Sequence, residues 1–317
     1  MRGWQLSADT GGTFTDCLLE RPDGSLKRNK VLSSGCLRTR VGEASGPVLR
    51  VEAVAVAESL SLAGQEVRRA GRTVGRLRHW TGERMELEAG HEPLRPGDIL
   101  EVDSGLEAPV LAMRSLLQGE PAAEGGGSLS FRLGTTKGTN ALLENKGAPT
   151  PLFLTAGFED LLLIRDQKRP ALFAREIKRP APLYRAAYGL RGRMDTEGRA
   201  TEPLDPAEVE RLGRQAIAEG CVTAAVCLLN SWRNPAHEEE AAAILAACGF
   251  RTVIRSSAVR PLIKYLDRAE TTLVDATLSP VMDAYLDRVE AALKGNPLWI
   301  MSSSGGLLSR QRFHAVD

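Results

Sequence analysis

The stretch Asp9-Thr10-Gly11-Gly12-Thr13-Phe14-Thr15-Asp16 decides the first fold element of this chain, because an apolar run flanks it on each side, Trp4 to Ala8 and Cys17 to Leu19. This arrangement predicts a strand, a tight glycine turn and a returning strand. Glycines lack a Cβ, so the backbone N–H groups of the turn can approach a phosphate group closely. The hydroxyls of Thr13 and Thr15 add short side-chain donors.

Two carboxylates frame this turn, Asp9 and Asp16. A carboxylate repels a phosphate group unless a cation lies between them, so the pair predicts a nucleotide bound together with a divalent metal. We assign Asp9 and Asp16 as metal ligands and catalytic residues. The predicted phosphate contacts are Gly11, Gly12, Thr13, Phe14 and Thr15. A plain β-hairpin with a Gly-Gly turn is the alternative.

Composition and charge exclude several classes of protein. The 317 residues are 43% hydrophobic, which is enough to build the cores of two domains. The net charge of +1 gives no attraction to nucleic acid or to an anionic membrane. We find neither a signal peptide nor an apolar stretch long enough to span a membrane, and we therefore expect a cytoplasmic protein. The five cysteines are scattered, which argues against disulfides or a zinc site.

The pattern changes twice along the chain. Apolar runs and a Pro22-Asp23-Gly24 turn predict three opening antiparallel strands within residues 4–32. Short alternating runs over residues 33–105 predict an inserted β-rich module. After residue 129, helices and strands alternate, which is typical of α/β folds.

Helix signals support this division. Asp205 and Pro206 predict a helix start, and the strands at residues 222–229 and 251–254 flank a second helix, so we expect a parallel pair. Ser279 and Pro280 predict the start of a longer helix.

A second motif, Gly134-Thr135-Thr136-Lys137-Gly138-Thr139-Asn140, precedes a helix that ends near Gly147. Helix N-termini hold anions, so Thr135, Thr136 and Thr139 are candidate cofactor contacts. Ordinary N-capping is the alternative. Asn140 is a candidate catalytic residue that could bond to a carboxylate or a lactam, although it could equally satisfy loop carbonyls.

Three further features are candidates for the site. Arg169, in a polar loop, and Arg268, before the long helix, could contact the substrate, and an interlobe salt bridge is the alternative for Arg268. A predicted strand at residues 298–301 leads into a turn of small residues, in which Gly305 and Gly306 are candidate cofactor contacts.

The octet at residues 9–16 resembles the first phosphate motif of the actin-like ATPase superfamily, and its Gly-Gly-Thr-Phe-Thr-Asp spelling resembles the hydantoinase and 5-oxoprolinase family. Other stretches similar to this family follow in family order. They are Gly134 to Glu144, Thr155 to Asp160, Gln167 to Phe173, Asn234 to Glu238, Arg268 to Pro280 and Ser302 to Leu307. The stretch Glu107 to Ala112 looks more similar to ATP-hydrolysing 5-oxoprolinases than to hydantoinase subunits.

This resemblance implies an α/β fold with a ribonuclease-H-like, actin-like lobe formed by residues 1–32 and 106–267. Residues 33–105 are then the inserted module, and residues 268–317 begin a second lobe. It also implies a fragment whose partner is the downstream region, or a partner subunit, of an oligomeric enzyme.

The resemblance implies ATP-dependent hydrolysis of a cyclic amide with ATP and Mg²⁺ as cofactors. The favoured reaction converts 5-oxo-L-proline to L-glutamate through a phosphorylated lactam, as in glutathione metabolism, and the fragment alone is expected to be inactive. A subunit of the N-methylhydantoin type, a small-molecule kinase and a non-catalytic nucleotide-binding regulator are the alternatives.

Overall fold

The structure is a computed structural model that describes residues 3–124, 128–167, 173 and 181–317. Its strands are β1 (Trp4–Thr10), β2 (Phe14–Glu20), β3 (Leu26–Leu32), β4 (Cys36–Ser45), β5 (Val48–Val51), β6 (Glu66–Arg69), β7 (Arg72–Thr81), β8 (Arg84–Leu87), β9 (Ile99–Asp103), β10 (Leu129–Thr135), β11 (Leu152–Thr155), β12 (Ala187–Leu190), β13 (Arg193–Met194), β14 (Ala200–Glu202), β15 (Thr223–Cys227), β16 (Thr252–Arg255), β17 (Leu298–Met301) and β18 (Leu307–Ser309).

Its α-helices are α1 (Ala108–Leu117), α2 (Lys137–Leu143), α3 (Leu161–Ile164), α4 (Pro206–Ala218), α5 (Ala236–Cys248), α6 (Ser256–Val259) and α7 (Tyr265–Ala292). Short 3-10 helices are formed by Ala55–Ser59, Pro121–Glu124 and Arg310–Arg312. Among the described residues, no helix is both long enough and apolar enough to cross a bilayer.

The chain folds into two compact units. The first unit comprises Met1–Lys137 and Tyr285–Phe313, and the second comprises Gly138–Ala284 and His314–Asp317. This division differs from the predicted one, which placed residues 106–267 in the first lobe and residues 268–317 in a second lobe. The difference arises because residues 138–284 build a sheet of their own, whereas β17 pairs with β10 in the sheet of the first unit.

The first unit contains a six-stranded sheet in the order β18-β17-β10-β1-β2-β3. The predicted antiparallel start is confirmed, since β1 pairs with β2 and β2 pairs with β3 in that sense. β10 and β17 then continue the sheet in parallel with β1. One face carries buried apolar side chains and packs on α1, while the other face carries the exposed side chains of β1 to β3.

Residues 36–103 of the first unit form a closed six-stranded barrel in the order β4-β5-β8-β7-β6-β9. Its interior is filled by apolar side chains that alternate with polar ones along each strand, as small barrels require. These residues are the ones for which the sequence predicts an inserted β-rich module. Leu111 of α1 belongs to the same apolar cluster.

The second unit contains a four-stranded parallel sheet in the order β12-β11-β15-β16. The expected parallel pair, β15 and β16, is confirmed. The predicted cap of α4 is also confirmed, because the Asp205 carboxylate accepts the N–H groups of Ala207 and Glu208. Gly249 ends α5 with a φ of 111°, a left-handed conformation that favours glycine.

Helix α7 corrects one prediction. The sequence predicts a helix start at Ser279 and Pro280, yet the helix begins at Tyr265 and contains Pro280 in its interior. Proline lacks an N–H, so it leaves the carbonyl of Ala276, four residues earlier, without its helical partner. The buried hydroxyl of Thr223 donates to that carbonyl at 3.1 Å, which offsets the loss.

Candidate functional site

Strand register places both predicted metal ligands side by side in the first unit. Asp9 on β1 lies directly opposite Asp16 on β2, and Asp16 lies opposite Lys30 on β3. On the other side of Asp9, the parallel partner on β10 is Gly134. Lys30, Asp16, Asp9 and Gly134 therefore form one row across four strands, on the face that is not covered by α1.

This row lines an open pocket of about 1050 Å³. The pocket also includes Arg28 and Arg132, which lie two residues before Lys30 on β3 and two residues before Gly134 on β10. The apolar side chains of Met301 and Leu307 line it as well. Gly305, a predicted cofactor contact, lies in the turn between β17 and β18 and also lines it. The pocket thus combines acidic, basic and apolar groups.

The row lies near the edge of the sheet where ligands of α/β proteins bind, and the pocket extends from it over the open face without including Gly11, Gly12 or Thr13. β1, β10 and β17 run in parallel, so their carboxyl ends lie along one edge. The glycine turn at residues 11–13 and the turn at residues 302–306 follow β1 and β17 directly, and Gly134 and Thr135 are the last two residues of β10. The sheet therefore brings together three segments that are far apart in the sequence.

The acidic pair fits a divalent cation. Opposite residues of an antiparallel pair have Cβ atoms about 4.5–5.5 Å apart, and like charges at this separation are unfavourable without a cation. A Cβ at Gly134 would lie 3.3 Å from the Asp9 Oδ1 atom, so the glycine leaves room beside that carboxylate. No group of three or more metal-ligating side chains occurs in the described ranges. A cation here would therefore need water or phosphate oxygens as further ligands, which is typical of Mg²⁺.

The predicted phosphate turn is present, but its residues differ in whether they are exposed to a ligand. The N–H of Gly11 donates to the carbonyl of Phe14 at 3.1 Å, which closes the turn, and Gly12 and Thr13 are exposed. Thr15 corrects the prediction, because its buried hydroxyl bonds to Ser33 Oγ at 3.1 Å. Alternation along β2 places Thr15 on the face opposite Asp16, away from the pocket.

Cys17 follows on the same strand and is not a nucleophile. Burial raises the pKa of this thiol to about 12, and the nearby Asp16 carboxylate adds to the effect. The thiol is thus neutral at physiological pH.

Thr135 and Thr136 make local hydrogen bonds. Thr135 Oγ1 accepts the N–H of Lys137 at the start of α2, which is the capping role that the sequence left open. The Thr136 hydroxyl donates to the carbonyl of Thr10 at 3.2 Å and so ties β10 to β1. Lys137 forms an ion pair with Glu107 at 3.1 Å. These contacts stiffen the carboxyl end of the sheet.

The remaining predicted residues lie elsewhere or outside the described residues. Thr139 and Asn140 belong to α2 within the second unit. Gly306 shapes the β17–β18 turn through three hydrogen bonds with Ser302: its carbonyl accepts the Ser302 N–H and hydroxyl, and its own N–H donates to Ser302 Oγ. Arg169 lies outside the described residues.

Arg268 corrects another prediction. It is only 1% exposed, and its guanidinium donates to the Ser231 hydroxyl at 2.7 Å and to the carbonyl of Leu228 at 2.8 Å. Ser231 in turn contacts Ser256, which donates to the buried carboxylate of Glu238. Arg268 therefore stabilises the core of the second unit and is not exposed to a substrate. The sequence could not show this burial, because it depends on strands and helices far apart in the chain.

The sequence analysis missed Lys30. Its ammonium lies 3.2 Å from Asp16 Oδ1 and 5.2 Å from the ring centre of Phe14. Lys30 belongs to no motif, and alternation along β3 is the only sequence signal that places it on the pocket face. Strand register, not motif, identifies it.

Comparisons with known proteins give two family matches in this chain. The family model "Hydantoinase/oxoprolinase N-terminal region" matches residues 98–249, and "Hydantoinase/oxoprolinase" matches residues 268–316. A 5-oxoprolinase of Saccharomyces cerevisiae is 32% identical over 217 residues, which are 59% of this chain and 17% of the yeast protein.

Two solved structures are similar in fold. The nucleotide-free structure of acetone carboxylase, from a study of ATP-dependent acetone carboxylation, has a TM-score of 0.64 and 18% identity, over 98% of this chain and 37% of that one. The ATP-dependent caprolactamase from Pseudomonas jessenii has a TM-score of 0.59 and 24% identity, over 96% and 36%. The chain therefore spans less than a fifth of its yeast relative and little more than a third of each solved chain. The two family models together span more than half of the chain, and it belongs to the hydantoinase/oxoprolinase family.

Proposed function

We propose that this chain supplies the metal and phosphate site of an ATP-dependent enzyme that hydrolyses a cyclic amide, with 5-oxo-L-proline as the favoured substrate. The observation that carries the proposal is the pair of opposed carboxylates, Asp9 and Asp16, beside a glycine turn at the carboxyl end of β1. Each carboxylate is exposed to the same pocket. A sheet that served only as a scaffold would gain nothing from opposing two acids.

In this proposal, magnesium-bound ATP supplies the phosphoryl group that activates the amide towards water. Asp9 and Asp16 hold the cation, and the N–H groups of the turn at residues 11–13 bind phosphate oxygens. Gly134 keeps the space next to Asp9 free of side-chain atoms. Such a site works mainly through positioning and charge, so it needs no activated nucleophile.

The names of relatives support the choice of substrate class. The yeast relative is named 5-oxoprolinase, and the solved relative from Pseudomonas jessenii is an ATP-dependent caprolactamase. Both names refer to a cyclic amide. We infer that the ring-opening step on such an amide is the function of the complete enzyme to which this chain contributes.

We also propose that the six-stranded sheet is the core of a ribonuclease-H-like lobe of the actin-like type, since three antiparallel strands are followed by two parallel ones. The rest of the catalytic clamp would come from a downstream region or from a partner subunit in an oligomeric assembly. A subunit named caprolactamase subunit alpha is 33% identical over 55% of this chain, which supports a multi-part enzyme. Thr139 and Asn140 are proposed contacts of the substrate or of the transferred phosphate.

Calorimetric titration with Mg·ATP tests the site in this chain. We expect weak binding, with a Kd of about 1 mM or higher, because this chain supplies only part of the proposed clamp and so leaves part of the nucleotide in solvent. Asp9→Asn and Asp16→Asn should abolish this binding. The matched control is Asp23→Asn, an exposed acid in the β2–β3 turn of the same unit. Unchanged binding by the Asp9 variant would contradict the metal assignment.

A second assay tests the reaction. In the complete enzyme, release of inorganic phosphate should depend on 5-oxoproline and should accompany glutamate formation. A stable phosphorylated product without phosphate release would show a kinase instead.

A further inference from the structure

Lys30 is the third charged member of the row that contains the two predicted metal ligands. The register of β2 and β3 fixes it opposite Asp16, and its Nζ atom lies 3.2 Å from Asp16 Oδ1. Both side chains are more than half exposed. An ion pair this exposed contributes little to stability, so structural need alone does not explain the contact.

The ammonium leans towards the glycine turn. Phe14 begins β2 directly after the turn, and the Lys30 Nζ atom lies 5.2 Å from the centre of its ring. The N–H of Gly11 closes the turn on the carbonyl of this same Phe14. Lys30 is therefore held between the acidic pair and the proposed phosphate turn.

A divalent cation and Lys30 compete for one carboxylate. A cation bound by Asp9 and Asp16 would take the oxygen that Lys30 contacts, and it would repel the ammonium as a like charge. The phosphate groups that accompany such a cation carry the opposite charge. An ammonium released from Asp16 would then find charged acceptors within reach of a flexible four-carbon side chain.

We propose that Lys30 exchanges partners during nucleotide binding: it pairs with Asp16 in the absence of a divalent cation and contacts a phosphate oxygen when the metal-nucleotide complex binds. This inference rests on the proposed function, since it takes Asp9 and Asp16 as the metal ligands. Lys30 thus opposes the binding of the bare cation and favours the binding of the cation together with its nucleotide. The exchange makes the site selective for the complex.

The test measures two affinities of this chain. Binding of Mn²⁺ alone is followed by loss of the free-ion signal in electron paramagnetic resonance, and binding of Mn·ATP is followed by calorimetry. For Lys30→Met we expect bare Mn²⁺ to bind about two- to fivefold more tightly, because the competing charge is gone. We expect Mn·ATP to bind at least about threefold more weakly, because a phosphate contact is lost.

Two matched variants separate this role from a change in net charge. Arg72→Gln removes one positive charge from an exposed position of the same unit, at the start of β7 and outside the pocket, and should change each affinity by less than about twofold. Lys30→Arg keeps the charge and should preserve the binding of Mn·ATP. Opposite shifts of the two affinities in Lys30→Met support the proposal.

Shifts of equal sign, or shifts no larger than those of the Arg72 variant, would overturn it. If the parent chain binds Mn²⁺ and Asp9→Asn abolishes this binding, but Lys30→Met changes neither affinity, the result refutes the role of Lys30 alone. If the parent chain binds neither Mn²⁺ nor Mn·ATP, the result refutes the proposed function and this inference together.

Discussion

We predict that the Thr223 hydroxyl replaces the helical hydrogen bond that Pro280 removes from α7. Thr223 is fully buried and donates to the Ala276 carbonyl, which lacks a helical partner because residue 280 has no N–H. Thr223→Val removes this donor while keeping a β-branched side chain in the strand. The carbonyl then stays buried and unpaired, which we expect to cost about 1–3 kcal/mol of unfolding free energy.

A double-mutant cycle isolates this contact. Pro280→Ala restores an N–H four residues after Ala276, so the carbonyl regains its helical partner. In that background we expect Thr223→Val to cost less than about 0.5 kcal/mol, which makes the two substitutions coupled by at least about 0.5 kcal/mol. Thr252→Val is the matched control, since Thr252 is the partner of Thr223 on β16.

Hydrogen exchange measured by mass spectrometry is the appropriate assay, because the chain has two units and a single melting temperature would mix them. The opening free energy is read from peptides that contain β15 and the first half of α7. The reasoning is refuted if Thr223→Val costs no more than Thr252→Val, or if its cost is the same with proline and with alanine at position 280.

Three further predictions concern the site and the second unit. Gly134→Val should reduce Mg·ATP binding at least about tenfold in calorimetry, because even its Cβ would lie 3.3 Å from Asp9 Oδ1, while the circular dichroism spectrum stays unchanged. Burial raises the pKa of Asp275, although His314 at 3.4 Å partly opposes this, so the folded chain loses stability as pH rises through the raised pKa. The opening free energy of the first half of α7, measured by hydrogen exchange, should therefore increase in Asp275→Asn relative to the parent from pH 5 to pH 8. A constant difference between the two chains would contradict this prediction. Asn140→Ala should lower turnover of the complete enzyme about tenfold or more with a small change in melting temperature, whereas lost stability with normal kinetics would indicate a structural role.

The sequence by itself determined the local elements and the acidic pair. Alternation and a glycine turn defined β1 and β2, and a two-strand hairpin closed by a short turn leaves few registers, so Asp9 and Asp16 had to lie close together. The Asp205 cap and the parallel β15–β16 pair followed from equally local signals. Such features depend on residues that are close together in the sequence, and not on how the rest of the chain packs.

Only the tertiary structure decided which distant segments meet. The parallel alignment of β1 with β10 and β17 brings Gly134 and Gly305 to the pocket, and it depends on burial of a shared sheet face. The pairing of β17 with β10 also places residues 285–313 in the first unit, and contacts with Leu228 and Ser231 bury Arg268 in the second. Neither result has a local signal. The strands that pair in the first sheet are more than a hundred residues apart, and the partners of Arg268 lie 37 and 40 residues before it. Lys30 likewise lies beside Asp16 because of strand register alone.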